Sequence, residues 1–141
     1  MRTWRKLSRL AAVGTVAACL AVSGASAAVA GQSAAALTCG GNVFLDGLRA
    51  LEITENGHDE VYINTSTGVR VWPATADYVS IAVNQRVEVD KCVAPNAVLY
   101  LWEEDTLDVD DYLGAVAIDG DRTKDYFFAG GPGLYRIGAV A

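Results

Sequence analysis

From residue 48 onward the chain is a succession of short apolar runs, several with polar residues at every second position. In RVEVDKCV, Val87, Val89 and Lys91 fall on one face and Arg86, Glu88 and Asp90 on the other, the period of a half-buried strand. Runs of this kind, rich in β-branched and aromatic residues, predict strands over 48–54, 60–64, 69–73, 78–83, 86–93, 97–103, 113–118 and 133–140. The turn signals ENG, STG, APN, DGD and GGPG separate them, and TSTG (65–68) reads as the loop of a hairpin. No stretch shows a convincing amphipathic helix. The pattern predicts an all-β fold, a single antiparallel Greek-key β-sandwich of about eight strands.

The pattern breaks down before residue 47. Residues 1–30 have the form of a secretory signal peptide. MRTWRKLSRL is a basic start, LAAVGTVAACLAV an uncharged apolar core, and Ala25-Ser26-Ala27 and Ala28-Val29-Ala30 are small-x-small exits. Val16-Ala17-Ala18-Cys19 offers a rival reading, a lipoprotein anchored at Cys19. Apolar residues continue past Cys19, however, where a lipoprotein turns polar. Secretion to the extracellular space is the expectation, with residues 31–46 an Ala/Gly-rich arm and 47–141 the sandwich. The Ala- and Gly-rich style suits a bacterial source.

Cleavage would remove four of eleven basic residues and leave seven against seventeen acidic ones, a net charge of −10. So acidic a chain, with no Lys/Arg cluster, is a poor match for nucleic acid or an anionic membrane. Two cysteines, Cys39 and Cys92, would survive cleavage. In an oxidising compartment they can pair in one way, closing a long loop at a gain of about 4 kcal/mol.

The acids are concentrated. WEEDTLDVDDYLG places six carboxylates in the nine positions from Glu103 to Asp111. Two carboxylates about 6 Å apart repel by nearly 3 kcal/mol at an effective dielectric near 20, and a short connection between strands cannot spread them out. Calcium, which takes six to eight oxygens, suits such a loop. Catalysis suits it less. The run has no apolar wall to raise a carboxyl pKa, Asp105-Thr106-Leu107 lacks the Gly of an aspartic-protease motif, and there is no Gly-x-Ser-x-Gly elbow. The single His58 lies in a turn with no partner for a zinc site. EF-hand spacing fails from either Asp105 or Asp108. A second acidic turn, EITENGHDEVY, carries Glu52, Glu55, Asp59 and Glu60. In a Greek-key sandwich the two loops can meet at one end and share an ion. Trp72 and Trp102, at strand positions, are expected to pack in the core or along an edge.

YLWEEDTLDVDDYLG resembles the third calcium loop of C2 domains, in which a strand leads into Asp-x-Asp, five residues, Asp, two apolar residues and Gly. The resemblance covers roughly residues 47–120. It implies a C2-like sandwich, with Glu103, Asp105 and Asp111 on acidic ligand positions and Tyr112-Leu113-Gly114 as the closing motif. GHDEVYI resembles the first-loop motif Gly-x-Ser-Asp-Pro-Tyr-Val, implying Asp59 as a ligand and Tyr62 as a core residue. Glu103 stands where Asp is usual, and Glu60 where Pro is usual. Glu52 and Glu55 both remain open as the first acid. The combination also resembles small secreted bacterial proteins of C2-like type. The lysine-rich lipid-binding strand has no counterpart, and Leu107 and Val109 are the only bulky loop tips, so calcium binding carries over better than membrane binding.

The expectation is a non-enzymatic, secreted calcium-binding module. Asp59, Glu103, Asp105 and Asp111 are leading ligands, Glu55 and Asp110 secondary ones. The ion would stabilise the fold or bridge to a protein or cell-surface polymer. The alternative is a metal-free acidic interaction or inhibitor protein that meets a basic partner.

Overall fold

In the computed structural model, residues 39–105 and 109–141 are described. The expected leader, Cys19, most of the N-terminal arm and the loop tip Leu107 lie outside them. The described residues form nine strands and no helix: β1 (Val43–Glu52), β2 (Asp59–Thr65), β3 (Arg70–Trp72), β4 (Val79–Ile81), β5 (Arg86–Val93), β6 (Val98–Glu103), β7 (Asp111–Ala117), β8 (Asp125–Gly130) and β9 (Leu134–Val140). They pair in the order β3-β2-β6-β7-β8-β9-β1-β5, with β4 on β2, and every pairing is antiparallel. The last strand in this order, β5, approaches the first, β3, so the sheet curls into a nearly closed barrel.

Period-two alternation fills the interior. Leu48 and Ala50 of β1, Val61 and Ile63 of β2, Leu99 and Leu101 of β6, and Tyr135 and Ile137 of β9 join one apolar cluster. Fully burying a Leu or Ile side chain contributes about 1.5–3 kcal/mol before entropic costs. In β1 the alternation slips. A register shift between Leu45 and Gly47 lets both Leu45 and Leu48 reach the core, three residues apart. The 65–68 hairpin forms as expected, with Thr65 N–H donating to the Val69 carbonyl at 2.8 Å and the Thr65 hydroxyl accepting from Val69 N–H at 3.1 Å.

The structure corrects the sequence reading in two places. β1 starts at Val43, so residues 43–46, assigned to the arm by composition, are strand, and Val43, Phe44 and Leu45 are buried. DYFFAG, with no strand predicted, is β8. Its Tyr126 and Phe128 point inward in phase while Phe127 is exposed, and it bridges β7 to β9. Tyr62, expected in the core, is buried, with the Arg70 guanidinium 3.8 Å from its ring centroid. Cys39 and Cys92 form the disulfide, their Cα atoms 5.5 Å apart.

Candidate metal centre

Strand parity delivers two carboxylates into one end of the barrel. Asp59 continues the inward series of Val61 and Ile63, and Glu103 that of Leu99 and Leu101. Both are buried, Asp59 at 0% and Glu103 at 2% exposure, and they are the only buried charged residues among those described. β2 and β6 pair with Val61 opposite Glu103, which sets the two acids side by side at the barrel mouth.

Their surroundings differ. Asp59 is saturated with donors: the backbone N–H of Thr54 at 3.1 Å, that of Glu55 at 3.0 Å, and the Tyr135 hydroxyl. It ties the 53–58 turn to β9, and burial with this bond holds the Tyr135 phenol well above its usual range. Glu103 has far less. Its Oε2 accepts from the Thr54 hydroxyl at 3.1 Å, while Oε1 is buried with no partner at hydrogen-bond distance among the described residues. An orphaned buried carboxylate oxygen is expensive. Burial first, and then the Asp59 charge, push the Glu103 carboxyl up to about 7.

Oxygens of Glu55, Glu60 and Glu103 lie within 4.8 Å of one another. Two unit charges about 5 Å apart repel by roughly 3 kcal/mol at an effective dielectric near 20, less where one is solvated. Among the described residues, no Lys or Arg pairs with these three. Glu60 meets His58 Nε2 at 2.9 Å, and the His58 side chain is 54% exposed. An all-oxygen set with an unsatisfied inner oxygen fits a hard divalent cation better than a soft transition metal.

The sequence-derived ligands therefore separate. Asp59, Glu103 and Glu55 come together. Asp105, half-buried, follows the end of β6, and exposed Asp111 opens β7 in register with Glu103. Asp110 turns to other work: its carboxylate accepts from the Tyr62 hydroxyl, and that phenol is raised to about 12 by burial and then by this bond. Glu52, at the end of β1, is exposed. Glu60, Thr54 and Tyr135 were missed as participants. Phase with the core singles out Asp59 and Glu103, but nothing local marks Tyr135, which is 76 residues from Asp59. Trp72 is core, as expected, whereas Trp102 stacks edge-on against Tyr112 at 5.4 Å, away from the interior cluster.

No family model, curated protein or solved structure matches this chain.

Proposed function

We propose that this protein is a secreted, non-enzymatic module that binds calcium at the mouth of its barrel. Glu103, Glu55 and Glu60 supply carboxylate oxygens, and Asp59 positions the turn that carries Glu55. The observation that carries this reading is Glu103 Oε1, a buried carboxylate oxygen with no hydrogen-bond partner among the described residues and close to two further acids. A divalent ion supplies the missing partner and offsets the repulsion. Calcium is preferred because it accepts irregular oxygen sets and can complete its shell with carbonyls or water. Asp105 and Asp111, one on each flank of the 103–111 connection, are the outer ligands that a C2-like arrangement adds. We further read the barrel as a Greek-key sandwich of that type, closed more tightly than an open two-sheet form.

Calcium titration of chelator-stripped protein, followed by thermal unfolding, tests the reading. Millimolar calcium is expected to raise Tm by mass action, and Glu103→Gln to remove the response. Asp105→Asn/Asp111→Asn separates the ligand sets: a retained response confines the ion to the inner acids, a lost one extends it to the flanks. No Tm shift in the unmodified chain would sink the proposal.

A further inference from the structure

The same strands that aim acids inward carry aromatic rings outward. Tyr62 of β2 and Tyr100 and Trp102 of β6 alternate with the interior residues Val61, Leu99 and Leu101. Register sets Tyr62 opposite Trp102, and Trp102 opposite Tyr112 of β7. Tyr112 meets both other rings, at 5.4 Å from Trp102 and 6.1 Å from Tyr100. Tyr62, Tyr100 and Trp102 line a groove of about 640 Å³, within the range of small-molecule sites.

The polar groups of the groove define what fits. Asn64 lines it, and its Oδ1 is buried without a hydrogen-bond partner among the described residues, an acceptor that a ligand donor would satisfy. Asp110 also lines it, held by the Tyr62 hydroxyl through one oxygen. The nearby guanidinium, Arg70, is occupied over the Tyr62 ring and with the Asp77 carbonyl. Among the described residues the groove thus offers acceptors and aromatic surface, and no free cation for a phosphate or carboxylate. It lies on the face of paired strands, so an extended peptide has no open edge there to extend as an added strand. A proline-rich peptide suits the rings but brings few N–H donors for Asn64 and Asp110.

We propose that this groove binds a neutral pyranose oligosaccharide, with C–H faces of the sugar against Trp102 and Tyr100 and hydroxyls donating to Asn64 Oδ1 and the Asp110 carboxylate. The site is independent of the cation at the barrel mouth, and the test is run in chelator to keep the two apart.

Isothermal titration of the purified full chain with cellohexaose and with chitohexaose tests the proposal. Saturable binding of at least one is expected, with a Kd that does not weaken at high salt because the ligand is uncharged. Trp102→Ala is expected to weaken it by roughly tenfold or more and Trp102→Phe by less, as an aromatic anchor does. Asn64→Ala is expected to weaken binding several-fold and serves on its own if Trp102→Ala fails to fold. The proposal is overturned if neither hexasaccharide binds, if folded Trp102→Ala or Asn64→Ala binds like the parent, or if a proline-rich peptide occupies the groove instead.

Discussion

Along the β1–β5 seam, Asp46, Glu88 and Asp90 bring carboxylate oxygens as close together as Glu55, Glu60 and Glu103 do at the barrel mouth, within 4.8 Å in each group. The seam holds its own cation. Arg86 reaches Asp46 and Glu88, each at 2.5 Å, and the pairing lowers the Glu88 carboxyl while raising the guanidinium. Gly47 makes room for it, since a Cβ there would fall 2.5 Å from the guanidinium carbon. Among the described residues the mouth has no such partner. Its innermost acid is buried and raised where Glu88 is exposed and lowered. Equal crowding therefore has two outcomes: Arg86 offsets part of the seam's charge from within, and the mouth has no such partner among the described residues, which is where the proposed ion would act.

Four measurements probe this contrast. The largest effect belongs to the seam's covalent tie. Cys39→Ser/Cys92→Ser should lower unfolding free energy by about 4 kcal/mol in urea titration and leave the calcium response of the still-folded protein in place. Next is the mouth. At a hundredfold excess over Kd, calcium should stabilise the parent by about 2.7 kcal/mol, and Glu103→Gln should be insensitive to calcium yet more stable than the metal-free parent by on the order of 1 kcal/mol at pH 8.

The third is pH. Glu103 binds its proton more tightly folded, with a pKa of about 7 against 4.5 in an unperturbed chain. Its contribution to stability is complete below about 4.5 and is lost as pH rises through 7. Metal-free Tm should carry this falling component, and the difference between parent and Glu103→Gln across pH 4.5–8 isolates it. A difference that does not change with pH would contradict it.

The smallest effect comes from Arg86→Met. Exposed ion pairs contribute about 0–1 kcal/mol, so the loss is modest. The variant should nonetheless acquire a weak calcium-dependent rise in Tm, because it leaves the seam acids as unpaired as those at the mouth. Paired with Glu103→Gln, it would move the calcium response from one region to the other.

Much of this was legible from alternation alone. Six carboxylates in nine positions look equivalent as composition, but strand parity singles out one: Glu103 stays in phase with Leu99 and Leu101. Asp110 and Asp111, adjacent in sequence, also part company, one held by Tyr62 and the other opening β7. Pairing order was not legible. Periodicity says which way a side chain faces and nothing about which strand lies beside it, so closure into a barrel and the approach of Tyr135 to Asp59 were both hidden. β8 escaped notice because its in-phase signal is two aromatic residues, Tyr126 and Phe128, between two turn-rich segments. Glu60 looked like a plain departure from a motif until the rim brought it beside Glu103.

The bond from Tyr135 to Asp59 also has a consequence in time. The mouth is assembled from a turn near the start of the barrel and a strand at its end, and β1 itself pairs with β9. Contacts so distant along the chain carry a large loop-closure cost and slow folding. Until β9 docks, Asp59 lacks its phenolic donor and the 53–58 turn lacks its anchor, so the acids around Glu103 are not yet confined together. Cation affinity would then appear at the end of folding, and a calcium signal followed during refolding would serve as a clock for the last strand to arrive.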